Sequence, residues 1–376
     1  MIKPRLAKTL ATISFLIGLT LLGIIVLSTG RLSAAVSLLT IAPPLTPTQP
    51  IVTVSSPPTQ TRPPTTEPPN NPTTTPTSSP TLTATATLDL SATPTPLPPA
   101  TIQANGQLIG GGTGFIAFVT ERDGQAEIYS MALDGSTPIR LTFSEAEDRS
   151  PIWSPDGKTL AFLSTRDGQP DINLMKPDGT GRKRLTIDPA FDEFPGWSPA
   201  GDWITFDSNR TGLFQIFRTS FDGTILEQLT NYPGDTADAD WSAANNLLTF
   251  ESKMESDNFQ IYTANPDGSN PVRLTHTFAR NVNPDWSPDG KRILFISERD
   301  GQSELYVMNA DGTAQQRLTA NLGTVRTPQW SPDGAYILFA ATRSGNFDLY
   351  LLRADGSDLR QITTDPADDY GPAWQP

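Results

Sequence analysis

The sequence predicts an all-β fold: a six-bladed β-propeller of four-stranded antiparallel blades, preceded by an N-terminal transmembrane helix and a disordered Pro/Thr-rich linker. Three observations carry this reading. Trp153, Trp197, Trp241, Trp286, Trp330 and Trp374 recur at spacings of 44, 44, 45, 44 and 44 residues, a period that belongs to propeller blades. Each unit contains short alternating apolar–polar runs closed by Asp-Gly turns, the mark of half-buried strands. The first hundred residues carry no such repeat, and split into an apolar run and a Pro/Thr-rich run.

Residues 286–329 show one unit. Trp286-Ser-Pro-Asp-Gly290 ends strand A and turns into the alternating strand B, Lys291 to Ser297, with Ile293 and Phe295 on one side. Gly tolerates the positive φ that such a turn needs. A second turn, Glu298-Arg-Asp-Gly301, leads to strand C around Leu305–Met308. Asp311-Gly312 then leads to strand D, which ends in Arg317-Leu318-Thr319. A loop of roughly ten residues reaches the next Pro-x-Trp, a common connection length.

The other units match in register. Strand B carries Phe118, Phe162, Phe206, Phe250, Phe295 and Phe339; strand C carries Tyr129, Asn173, Phe217, Tyr262, Tyr306 and Tyr350. Strand D ends at Thr142, Thr186, Thr230, Thr275, Thr319 and Thr363. The repeated aromatics are expected to pack between blades. Arg122, Arg166, Arg210, Arg299 and Arg343 recur in the B–C turn, where repetition points to a structural partner for a carboxylate.

The phase of the repeat predicts how the ring closes. The first unit begins at strand B near Phe115, and Gly371-Pro-Ala-Trp374 is an A strand with no blade behind it. An open array would expose two unpaired edges, which natural sheets avoid. Pairing the last A strand with the first B–C–D set removes both, so loss of residues 366–376 should unfold or aggregate the domain.

These motifs resemble the WD-like (WD40-like, PD40) repeat of the TolB-type propeller family: Pro-x-Trp-Ser-Pro-Asp-Gly, Ser-x-Arg-Asp-Gly, Ile-Tyr-x-Met-x-x-Asp-Gly and Arg-Leu-Thr, over about residues 108–376. Two units depart, with Ser-Pro-Ala-Gly after Trp197 and Ser-Ala-Ala-Asn after Trp241. The resemblance implies a six-bladed propeller outside the cytoplasm that binds proteins or peptides. No α/β domain stands ahead of the propeller, so only the propeller is carried over.

Ahead of it, Lys3, Arg5 and Lys8 precede the uncharged run Thr9 to Gly30. Twenty-two residues rising 1.5 Å each span about 33 Å, enough for a bilayer core. The basic flank places residues 1–8 in the cytoplasm and the remainder outside. The expected location is therefore the cell membrane, single-pass, with secretion after cleavage near Ser33-Ala-Ala35 as the alternative. Residues 43–107 form the expected linker; between 43 and 100, 17 of 58 residues are Pro and 17 are Thr. Such a segment buries too little apolar surface to offset its ordering entropy, and could reach about 180 Å in extended polyproline geometry. Its many Thr residues are candidates for O-glycosylation.

Composition narrows the function. From residue 108 onward there are 22 basic and 38 acidic residues, a balance that repels phosphate backbones and disfavours nucleic acid. No Cys excludes thiol chemistry, disulfides and a lipoprotein anchor; one His, His276, excludes a His-His metal motif. His276 follows a Leu-Thr end and reads as a loop residue. There is no nucleophile elbow, phosphate loop or EF-hand spacing.

Strand alternation puts the D–A and B–C loops on one face. The D–A loops vary and are polar, and the residues just ahead of each Trp should ring a funnel: Asp148, Arg149, Asp192, Glu193, Asn281, Arg326, Asp369 and Tyr370. The expected role is a non-catalytic protein- or peptide-binding module of the cell envelope, without cofactor. Replacing Asp192 and Arg326 should then abolish binding and leave stability alone. The alternative, implied by relatives of the fold, is a metal-dependent lyase or hydrolase. Asp235, Asp238 and Asp240, with Asp365, Asp368 and Asp369, would then hold Ca²⁺ or Mn²⁺.

Overall fold

The computed structural model describes residues 110–376, together with the backbone of Thr95–Pro96. The expected cytoplasmic segment 1–8, the anchor 9–30 and almost all of the linker 43–107 lie outside the described residues. Among the described residues no helix is long and apolar enough to cross a membrane.

Six blades, each of four antiparallel strands in the order A–B–C–D, form the ring, and Thr95–Pro96 adds a short fifth strand, parallel to Arg360–Gln361, to the blade that contains Val325–Trp330. The A strands are Asp148–Trp153, Asp192–Trp197, Thr236–Trp241, Asn281–Trp286, Val325–Trp330 and Asp369–Trp374. Asp369–Trp374 pairs antiparallel with Phe115–Thr120, the B strand of the first blade, in the register Ile116↔Trp374 and Thr120↔Asp369. The ring therefore closes as the phase of the repeat predicts. Residues 110–114 clamp the closure rather than hang loosely. Thr113 N donates to Gln375 O at 3.2 Å, and Asp333 N donates to Gly110 O at 3.2 Å. Gly110, at φ 79°, lies so close to the Trp374 ring that a Cβ would sit 2.5 Å from it.

The core lies between blades. All six B-strand Phe residues are at most 1% exposed, and five of them meet the C-strand aromatic of their own blade at 5.7–6.1 Å between ring centroids. Five of the repeated Trp residues are 4–7% exposed. Trp241 is half-buried, and its indole N–H donates to Asn246 Oδ1 at 3.1 Å. That is the unit whose turn departs from the repeat.

The remaining motifs are explained by hydrogen bonding. Strand D is only two or three residues long, so the ladder runs out early. In every blade the Thr after it lets Oγ1 accept the next strand-C N–H: Ile128, Ile172, Ile216, Ile261, Leu305 and Leu349 donate at 2.8–3.0 Å. The Ser after Trp bonds the turn Asp, as in Ser287 Oγ to Asp289 Oδ1 at 2.7 Å. The Gly of the C–D turn packs on a Leu or Ile carbonyl of the preceding blade, as Gly135 does on Ile362 and Gly179 on Leu141. At Gly268 (φ 77°) a Cβ would come within 1.8 Å of Leu229 O, so no other residue fits there.

Each A strand contains a bulge, with two residues set opposite the B-strand Phe. The first of the two has positive φ: Ser150 (50°), Phe194 (49°), Asp238 (56°), Asn283 (50°), Thr327 (45°) and Gly371 (58°). Pro follows it in five blades, because a bulge has no ladder bond for an N–H to fill. These six residues form a ring on the innermost strands, and the contact between the Asn283 side-chain amide and Asp238 bridges two adjacent blades.

Candidate binding site: the loop face and the axial channel

The structure divides the expected funnel residues into two layers. Asp148, Asp192, Asn281 and Asp369 open their A strands and are fully buried. Each is held by an arginine. Arg210 Nη2 reaches both oxygens of Asp192 at 2.9 and 3.0 Å, Arg122 Nη2 reaches Asp369 at 3.2 Å, and Arg299 Nη2 donates to Asn281 Oδ1 at 3.0 Å. The same guanidinium groups lie over the aromatic pair of their own blade, as Arg299 does at 5.5 Å from Phe295 and 4.5 Å from Tyr306. Burial nonetheless pushes the Asp192 and Asp369 carboxyls above the usual range, partly countered by hydrogen bonds and the arginines.

The second blade solves the same problem differently. Asn173 replaces the strand-C aromatic, and Arg182 fills the space, 4.9 Å over Phe162. Arg182 takes Asp148 in a fork at 2.9 and 3.0 Å. Arg166, the turn arginine of that blade, turns aside to Asp167 at 3.6 Å.

The other four expected residues line the open layer. Arg326 is exposed, with its guanidinium 4.5 Å over Phe347. Arg149 pairs with Glu147 at 3.1 Å and lies 6.0 Å over Tyr370. Tyr370 donates to Glu121 Oε1 at 3.2 Å, and burial raises its hydroxyl pKa. Glu193 is half-buried, and burial raises its pKa as well. Around them the D–A loops present large apolar side chains to solvent, Phe143 and Ile187 at 74%, Phe278 at 101% and Phe191 at 44%, and the A-strand bulge adds Phe194 at 40%.

The expected acidic triplets do not assemble. Asp235 faces Lys253 at 3.7 Å, and Asp365 faces Arg122 at 3.9 Å. Among the described residues no group of three or more carboxylates and histidines could hold a metal ion. His276 is an exposed loop residue.

The sequence reading missed a set of carboxylates at the seams between blades, against the innermost strands. Asp207 Oδ2 accepts Asp238 N at 2.8 Å, and Glu251 Oε2 accepts Asn283 N at 2.8 Å. Asp240 Oδ2 accepts Trp286 N, and Asp285 Oδ2 accepts Trp330 N, both at 2.7 Å. Carboxylates thus tie each of these blades to the next. Burial, reinforced by Asp238, pushes Glu251 up to about 8. Burial pushes Asp240 up to about 6, and holds Asp207 and Asp285 well above the carboxylate range. A signal was present: Asp207 and Glu251 occupy a strand-B position held elsewhere by Val119, Leu163, Ile296 and Ala340.

Comparison with known proteins places the chain. The TolB beta propeller domain family matches residues 111–187, 148–259 and 226–324, together more than half of the chain. The chain belongs to this family. It is similar to TolB from Acinetobacter baumannii, at 24% identity and TM-score 0.63, over 70% of this chain and 67% of that one. It is also similar to a protein of Agrobacterium tumefaciens designated a TolB, at 21% identity and TM-score 0.58, over 69% and 92% of the two chains. These two likenesses are of fold. The uncharacterized protein Atu1656 of Agrobacterium fabrum is 47% identical over 47 residues, which is 12% of this chain and 16% of that protein's length.

Proposed function

We propose that the protein is a non-catalytic module that binds a protein or peptide of the cell envelope on its loop face. One observation supports this above the others. The strands, turns and Arg–carboxylate supports repeat from blade to blade, whereas the D–A loops differ and expose Phe143, Ile187, Phe191 and Phe278. Exposed apolar groups gathered among polar ones are the usual mark of an interaction surface. Arg149, Glu193, Arg326 and Tyr370 supply polar contacts there, while Asp148, Asp192, Asn281 and Asp369 hold the loops in place from below. The family's propellers lend the reading support in kind, since the matched domain is that of TolB. In this reading residues 9–30 anchor the protein in the membrane, and residues 43–107 carry the propeller away from it on the outer side.

Site-specific photocrosslinking tests the binding face. Benzoylphenylalanine placed at Ile187 or Arg326 should capture one defined partner in intact cells, and the same group at Lys291, on the opposite face, should not. Equal capture from both faces, or none from the loops, would refute the assignment. Protease treatment of intact and opened cells, followed by membrane fractionation, tests the anchor.

A further inference from the structure

The inner edge of the ring holds more carboxyl groups than the fold uses. Asp207, Glu251, Asp240 and Asp285 each commit one oxygen to a backbone N–H of the next blade. The second oxygen of Asp207 is buried without a protein partner, although the residue is only 1% exposed. Thr327 Oγ1, on the bulge ring, is likewise buried and unpartnered. The charge is one-sided, since the position of Asp207 and Glu251 is aliphatic in the other four blades. The cations nearest the mouth are already engaged, Arg280 with Glu298 at 3.6 Å and Lys253 with Asp235 at 3.7 Å.

We propose that this acidic half of the channel, centred on Asp207, Asp238 and Glu251, seats one cationic side chain, a lysine ammonium or arginine guanidinium, of the segment that docks on the loop face. This rests on the partner-binding reading above. A metal ion needs several oxygens converging at about 2.3–2.6 Å, and no such group exists among the described residues. An ammonium or guanidinium instead carries several separated donors, which suits oxygens spread along a wall. A cation placed there also restores the ionised form of carboxylates that burial disfavours. Phe194, on the bulge ring of Asp207's own blade and 40% exposed, is the aromatic residue next in line for the cation's aliphatic stem.

The full-length chain in mild detergent is melted with Nα-acetyl-arginine amide, Nα-acetyl-lysine amide, the uncharged Nα-acetyl-citrulline amide, or CaCl₂. Both cationic amides should raise the Tm by about 2–5 °C near saturation, and citrulline amide should not. Calorimetry in two buffers should show proton release on binding. Affinity should rise with pH between about 6 and about 8, where Asp240 and Glu251 titrate, with Asp238, Asp285, Arg280 and Lys253 as the charges facing them. Glu251→Gln and Asp207→Asn keep shape and lose charge, and each should weaken or abolish the shift. No shift with either cation, an equal shift with citrulline amide, or a shift that survives both variants would overturn the proposal. A shift with CaCl₂ alone would overturn it in favour of a metal. The probes are free amino-acid derivatives, so loss of the seat leaves the crosslinking result standing. Conversely, a working seat without a crosslinked partner would sink only the module reading.

Discussion

Asp192 shows how far a residue can be read from its sequence position. Its place ahead of the Trp marks it as part of a ring, but only the fold reveals that Arg210 grips it from the same blade. The expectation that its removal leaves stability alone is therefore revised. Asp192→Ala removes the buried one of two carboxylates on Arg210, which keeps Asp188 at 2.7 Å, and should cost about 1–3 kcal/mol, measured by denaturant unfolding. Arg326→Ala, at an exposed position, should stay within about 0.5 kcal/mol of the parent. The repeated aromatics were legible because burial and repetition coincide. Trp330, 4% exposed, should cost about 3–5 kcal/mol when cut to Ala. Asp207 and Glu251 were harder to read, since a single carboxylate in a strand looks like an exposed-face residue until the ring packs that face against the next blade, where backbone N–H groups of Asp238 and Asn283 meet it.

Among the elements, the strands and their order were plain in the sequence, but the bulges were not. Five Pro-x-Trp sequences invite a straight strand, yet Pro there marks a step in register. Its predecessor must take positive φ, even where it is Phe194 or the β-branched Thr327. Thr327→Gly should therefore be neutral or stabilising by up to about 1 kcal/mol, because relief of left-handed strain offsets the added chain entropy. The short D strand gives a second check. Thr275→Val removes the Oγ1 that accepts Ile261 N and should cost about 1–3 kcal/mol. Both effects can be followed by thermal melts at a single pH.

Over the whole molecule, the channel sets the direction of pH dependence. Glu251 and Asp240 have folded pKa values of about 8 and about 6, above their ordinary ones. The folded chain therefore binds protons that the unfolded chain releases. Their contribution is complete below the unfolded pKa and fades as pH rises through the folded one. The propeller should melt several degrees higher near pH 5.5 than near pH 8.5, and Glu251→Gln should flatten that difference and raise the melting temperature at the alkaline end. A melting temperature that climbs toward pH 8.5 would contradict the burial of these groups. The ring itself was readable from the period and phase of the tryptophans. The one-sided charge of its bore was not, because it arises from residues in different blades.

The closing strand also sets an order of events in time. Tyr370 meets Glu121 across 249 residues of chain, so a ribosome must make nearly the whole propeller before the first blade can receive its inner strand. Until then Phe115–Thr120 presents an open edge, the kind of surface that captures other chains. Long-range closure of this sort is slow, because chain entropy is lost before the contacts are won. A chain stalled a few residues short of Trp374 would already contain five complete blades, and would still be the species most in need of a chaperone.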